Sequence, residues 1–316
     1  MPEAPRHLLF AVPREQQPDF GELLAAWRER GIEVEIVACD AGLPEPQALL
    51  QQADAPVDAL LLAGSGRYAP SSALPGPWLR DRTGRRIPAA WLPLRGRDAN
   101  RRFAATAARV QRRAAQQVSV ALLGQWHPQY LHVADRIEAL LADRLRLLRW
   151  TGETITRDAL VPALATGLGL GLYVGHGRPM GWVGYHGVRG RHFEPERQQP
   201  DGSAAEPLGA LLSLCCRTAS RRRVGLSYAE QVPLLGIAAA SLGAIGDTLH
   251  TDNTRWAVGL CDALLAGARS IGELVARGAP ASPAACASYR LIGDPMAPLA
   301  AESAALARAG AVPTFG

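Results

Sequence analysis

Short apolar runs alternate with helix-patterned stretches along most of this chain, and that rhythm restricts the fold more than any other feature. Leu8 to Val12 is an unbroken apolar run, and Phe20, Leu23, Leu24 and Trp27 then fall at helical spacing before Gly31. Ile32 to Val37 alternates with period two, as a half-buried strand does. A helix over Pro46 to Ala53 and a buried strand over Ala59 to Ala63 follow. Such strand–helix–strand succession predicts an α/β chain with a mainly parallel sheet covered by helices on both faces. The Pro- and Gly-rich stretch from Ala69 to Pro88 reads as loop, and Phe103 to Ala115 as helix. A boundary there gives an N-terminal α/β subdomain over residues 1–115 and a second subdomain over 116–316. In the second, strands are expected at Val118–Leu123, Leu147–Trp150, Leu168–Val174, Ala210–Cys215 and Ser241–Ile245. Helices are expected at Val133–Leu145, Arg157–Thr166, Tyr228–Ala240 and Arg255–Leu265.

Composition excludes several chemistries. All 34 basic residues are arginine, so a phosphate-binding Walker lysine, a lysine Schiff base and a Ser-Lys dyad are ruled out. The net charge of +5 is spread thinly except at Arg221-Arg222-Arg223, which reads as a solvated charge run. No basic stripe with interleaved aromatics points to nucleic acid. No apolar run approaches the roughly 20 residues of a membrane span, and Met1 to His7 lacks the pattern of a signal peptide, so a cytoplasmic protein without membrane contact is expected. Five widely spaced cysteines fit free thiols rather than a zinc site or a disulfide scaffold. Gly64-Ser65-Gly66-Arg67-Tyr68-Ala69 follows a strand but runs into Pro70 instead of a helix, and His186 and His192 lack a third ligand; neither a cofactor nor a metal is expected.

Functional groups in wound α/β sheets collect at the carboxyl ends of strands. Two such ends carry reactive side chains here. Tyr173-Val174-Gly175-His176-Gly177 ends an apolar strand on an imidazole, with flanking glycines that permit a sharp turn and a close approach. Leu211 to Ala219 ends another on Cys215 and Cys216, the latter 40 residues after His176. Imidazole and thiol together can deliver a thiolate to a carbonyl, and a histidine upstream of the cysteine is the order known from caspases. Side chains alternate along a strand, so Cys215 and Cys216 face opposite ways and one of them meets His176.

With these segments in place, the chain resembles the gingipain-like cysteine peptidases of the caspase–legumain–separase group. Gly175-His176-Gly177 with Gly181-Trp182 resembles the family's histidine loop, and Ser213 to Ala219 its strand-then-cysteine segment. Tyr228-Ala229-Glu230-Gln231 resembles the helix behind that loop, and Gly243 to Thr248 the strand whose end lines the primary specificity pocket. Tyr289 to Pro295 is similar to the closing Leu-Leu-Gly-Asp-Pro element, and Ala59–Gly66 and Ala89–Arg95 to segments of the first subdomain. The resemblance implies a caspase–gingipain-like three-layer α/β/α sandwich of two related subdomains. It also implies a cysteine endopeptidase acting through a thioester, with His176 as general base and no cofactor. The register Cys216-Arg217-Thr218-Ala219 favours Cys216 as nucleophile, with Cys215 the alternate and Ala219 standing where the family has glycine. Oxyanion donors would be the N–H groups of Gly177 and Cys216. Asp247, Thr248 and Trp182 would bind substrate, with Asp252, Glu194 and Trp256 in segments able to reach the same pocket. Asp158 and His127 are candidates to orient the histidine. The partners implied are a protein or peptide substrate and a regulatory protein. The alternative is a catalytically silent binding module on the same fold.

Overall fold

The computed structural model describes residues 6–39, 45–53, 55–65, 71–114, 117–193, 205–280 and 282–314. In the first third, β1 (Arg6–Pro13), β2 (Ile32–Cys39) and β3 (Ala59–Gly64) form a parallel set linked by α1 (Gly21–Glu29) and α2 (Pro46–Gln52). β4 (Trp78–Arg80) and β5 (Arg86–Pro93) follow, then α3 (Arg97–Arg112). The stretch expected as loop therefore contains an antiparallel ribbon, Trp78 opposite Pro88. Its turn is closed by Asp81, whose carboxylate accepts from the Thr83 and Arg85 amides. Proline and glycine counts hid it, because Pro88 sits within a strand that is buried and apolar from Ile87 onward.

The chain continues through β6 (Gln117–Gly124), α4 (Pro128–Leu141), β7 (Arg146–Thr151), α5 (Arg157–Leu164) and β8 (Leu170–Val174). A small antiparallel sheet of β9 (Gly177–Arg178), β10 (Gly181–Trp182) and β11 (Val188–Arg189) follows His176 directly. Then come β12 (Leu208–Leu214), α6 (Tyr228–Leu234), β13 (Ala238–Ala244), α7 (His250–Leu265), α8 (Ile271–Gly278), α9 (Pro283–Ala287), β14 (Tyr289–Gly293), β15 (Ala300–Ala301) and α10 (Ser303–Gly310). The helix expected to run to Ala240 stops at Leu234, because Gly236 takes a left-handed φ of +77°. The Gly236 and Ile237 amides then bond back to Pro233 and Val232. The alanine-rich run beyond is a buried strand, which apolar content alone cannot tell from helix.

Among the described residues, one sheet of twelve strands carries the order β15-β6-β8-β12-β13-β14-β5-β3-β1-β2, with β7 on β6 and β4 on β5. β14 is the link between the two halves, antiparallel to β13 and parallel to β5. Alternate residues of each strand feed opposite faces. Phe10, Leu61, Leu122, Leu172, Leu212 and Leu242 belong to one core that runs along the sheet beneath α1, α3, α4, α7 and α8. The other face holds separate cores, one around Trp91, one around Tyr173, Leu211 and Tyr228, and a small one of Ala219, Ala229 and Ile292. The result is an α/β/α sandwich with a mainly parallel sheet. Among the described residues, no helix is long and apolar enough to cross a membrane.

At the end of β14, the fully buried Asp294 accepts from Trp27 Nε1 of α1 (3.2 Å), Gln111 Nε2 of α3 (2.7 Å) and the Met296 amide (2.8 Å). Burial outweighs these donors and pushes its carboxyl up to about 6. A raised acid favours folding while it is protonated, so this contribution is present below about pH 4 and is lost as pH rises through about 6. Urea unfolding of the wild type and Asp294→Asn at both ends of that window should show the difference in stability moving toward the variant by on the order of 2–3 kcal/mol as pH rises.

Candidate active site

β8 and β12 are hydrogen-bonded parallel neighbours with Val174 opposite Leu214. His176 and Cys216 each lie two residues beyond that pair, so they emerge at the same level from strands about 4.8 Å apart. The backbone of His176 is held on two sides. Its amide donates to Gln125 Oε1 (2.9 Å), and its carbonyl accepts from the Val183 amide (3.0 Å) and Tyr173 Oη (3.1 Å). The imidazole itself is exposed, and Tyr130 Oη stands 3.3 Å from both ring nitrogens. A hydroxyl equidistant from both lies off both lone-pair axes, so Tyr130 wedges the ring rather than selecting its tautomer. Burial, and next the negative charge a Cys216 thiolate carries, push the Tyr130 phenol above its usual range.

The two cysteines are sharply different. Cys215 is completely buried in the core with Tyr173, Trp182 and Tyr228, and burial pushes its thiol far above the usual range. Cys216 is half-buried beside Thr248. The Thr248 amide donates to Cys216 Sγ at 3.4 Å, with Thr248 Oγ1 at 3.6 Å and its carbonyl at 3.8 Å. Behind it, Asn253 Nδ2 donates to Thr248 Oγ1 (2.9 Å), and Tyr289 Oη donates to Asn253 Oδ1 (2.7 Å). Because Asn253 already donates to that hydroxyl oxygen, the Thr248 proton is left to turn toward the sulfur when a thiolate forms.

The turn after Cys216 is made by Arg217, which adopts φ +63°, and is tied to β13 by Arg217 N–Gly246 O (3.0 Å) and Ala219 N–Ala244 O (2.8 Å). Ala219 packs its methyl against Ala229 and Ile292, and the left-handed position falls two residues earlier. The Arg217 guanidinium pairs with Asp247, whose side chain is exposed.

Residues 98–300 match the sequence model of peptidase family C25. The chain belongs to that family. C25 is the gingipain family of caspase-like cysteine peptidases. Gingipain R, a crystal structure described as an Arg-specific cysteine proteinase, superposes with a TM-score of 0.72 at 13% identity, over 94% of this chain and 79% of that one. The complex of Porphyromonas gingivalis RgpB pro- and mature domains gives 0.72 at 13% identity, over 92% and 79%. No match was found among curated proteins.

The other sequence candidates are engaged in contacts of their own. Trp182 is buried, donates from Nε1 to Ser213 Oγ (2.8 Å) and stacks on Tyr173 at 4.3 Å, so it supports the site from beneath. Trp256 is likewise core, donating to the Ala285 carbonyl. His127 caps α4 through the Gln129 amide, Asp158 pairs with Arg157, and Asp252 pairs with Arg255. Glu194 and residues 66–69 of the glycine-containing segment lie outside the described residues. Among the described residues, no three His, Cys, Asp or Glu side chains converge as a metal site.

The expectation of a solvated Arg221-Arg222-Arg223 run fails at its first member. Arg221 is nearly buried and grips the fully buried Glu230 through Nε (2.9 Å) and Nη2. Glu230 in turn closes a capping box with Ser227 at the start of α6. Of four further residues at the site, Gln125, Tyr130 and Asn253 carried no signal of their own, and Tyr289 figured only as the first residue of the closing segment. The first two lie just beyond β6, the strand next to β8, so only a known strand order would have drawn attention to them.

Proposed function

We propose that this protein is a cysteine endopeptidase in which Cys216 is the nucleophile and His176 the general base. The observation that carries it is the β8–β12 register, which brings out an exposed imidazole and a half-buried thiol at one level of the sheet. His176 takes the thiol proton, and the sulfur adds to the scissile carbonyl carbon. Collapse of the tetrahedral adduct breaks the C–N bond, and the imidazolium returns its proton to the leaving amine. Water then hydrolyses the thioester with His176 again as base. The burial of Cys215 supports Cys216 as the attacking thiol, since a thiol held protonated in an apolar core is inert.

The N–H groups of Gly177 and Cys216 receive the oxyanion. In the β9–β10 hairpin, the bond from Val183 to His176 makes Gly177–Trp182 the non-hydrogen-bonded pair, so the Gly177 amide points away from the ladder. The Cys216 amide donates to no described residue. Asp247, adjacent to Thr248, selects a basic side chain at the residue before the scissile bond. Its present partner Arg217 occupies the place that a substrate guanidinium would take.

A peptidyl acyloxymethyl ketone should modify one cysteine, Cys216, on peptide mapping. His176→Ala should slow that labelling by about 10²–10⁴-fold. Modification of Cys215, or of no cysteine in preference to the rest, would sink the proposal.

A further inference from the structure

Large apolar side chains left in water are rare enough to be informative when they gather at one place. Among the described residues four such side chains are exposed: Trp126 (72%), Leu249 (68%), Leu265 (42%) and Met180 (41%). Three of the four border the site. Trp126 follows Gln125, which holds the His176 amide; Leu249 follows Thr248, which touches the Cys216 sulfur; and Met180 lies in the turn of the β9–β10 hairpin that His176 opens. Trp126 and Leu249 are joined along the rim by rings. His127 and Tyr130 have centroids 5.7 Å apart, Tyr130 and His176 5.3 Å, and Tyr130 and His250 5.9 Å. His127 neighbours Trp126 and His250 neighbours Leu249 in the chain, so these rings and the exposed apolar residues beside them form a ridge along the rim past the histidine.

We infer that this ridge binds the substrate itself: an extended polypeptide segment with large apolar side chains on both sides of the bond to be cut. The inference rests on the peptidase reading of the same site and adds the class of substrate. Strand spacing supplies the scale. Trp126, His176, Cys216 and Leu249 follow β6, β8, β12 and β13, which are consecutive in the sheet. Three strand spacings are about 14 Å, the length of about four residues of extended chain. A peptide crossing the strand ends with its scissile carbonyl over Cys216 reaches Trp126 about three residues away on one side. It reaches Leu249 one to two residues away on the other. A folded surface does not present such a stretch, so the segment comes from a loop, a terminus or an unfolded chain. The occupant is peptide rather than a second copy of this protein, because the rim passes the imidazole and its Leu249 end adjoins Thr248, whose amide touches the thiol.

The test uses the full chain carrying Cys216→Ala, which cannot cut what it binds. Two fluorescent eight-residue peptides share a central arginine; one carries leucine and valine around it, the other serine and glycine. By fluorescence anisotropy the apolar peptide should bind at least about tenfold more tightly, since each well-buried apolar side chain is worth roughly that factor. In the background of Trp126→Ser with Leu249→Ser the preference should disappear. Equal affinities, binding of neither peptide, or a preference that survives the double substitution would overturn the inference. So would a concentration-dependent dimer in sedimentation that the double substitution abolishes, which would assign the ridge to a second copy. Failure of the peptidase reading looks different: the apolar peptide still binds the ridge while the ketone leaves Cys216 unmodified.

Discussion

Gly177→Ala should reduce ketone labelling of Cys216 and peptide hydrolysis by at least about 10²-fold while leaving the chain folded. A methyl carbon at that position would lie 2.5 Å from Cys215 Sγ, 2.5 Å from the Cys216 carbonyl oxygen and 3.0 Å from Thr218 Cγ2. Carbon does not approach sulfur or a carbonyl oxygen that closely, so something must shift. Cys215 is wedged among Tyr173, Trp182 and Tyr228 and has nowhere to go. The turn bearing Cys216, a surface connection held by single hydrogen bonds to β13, to Gly246 beyond it and to α6, is what moves. A displacement near 1 Å of the sulfur from the imidazole and from the Thr248 amide is enough for such a loss. Gly225→Ala is the control, because a methyl there meets nothing within 4 Å. Its labelling rate and melting temperature should match the wild type, whereas Gly177→Ala should separate the two readouts. Wild-type labelling by Gly177→Ala would mean that the Cys216 turn does not need its close contact with the histidine loop.

Arg221→Ala should lower the free energy of urea unfolding by about 3–5 kcal/mol, an unusually large cost for an arginine five residues past a loop cysteine. The guanidinium is the counter-charge to Glu230, whose side chain has no exposure to water. Removing it leaves a carboxylate in the interior with, among the described residues, Ser227 as its remaining partner. The same carboxylate closes the N-terminus of α6, so the helix behind the cysteine turn loosens with it. Arg222→Ala, at the exposed neighbouring position, should stay within about 0.5 kcal/mol of the wild type. Glu230→Gln in the Arg221→Ala background should restore part of the loss, since it removes the uncompensated charge. Equal effects of Arg221→Ala and Arg222→Ala would contradict the buried pair.

Residue pattern alone determined the α/β class, most strands of the sheet and the two strand ends that bear His176 and Cys216. That information is local. A strand buried on both faces is an apolar run, a helix an apolar stripe, and a glycine-flanked histidine after a strand marks a turn whatever lies elsewhere. The family motifs were legible for the same reason, as short segments in order. Tertiary structure decided what depends on neighbours distant in sequence. It put β14, near the C-terminus, between the two halves of the sheet, turned Cys215 into the core and left Cys216 beside Thr248. It also gathered Tyr130, Gln125, Asn253 and Tyr289 around the pair. Burial and charge pairing are properties of the packed molecule, and so Arg221, which reads as one of three solvated arginines, became the counter-ion of a buried glutamate. His176 and Cys216 are visible as residues in the sequence; that they leave neighbouring strands at one level follows only from the order and register of β8 and β12.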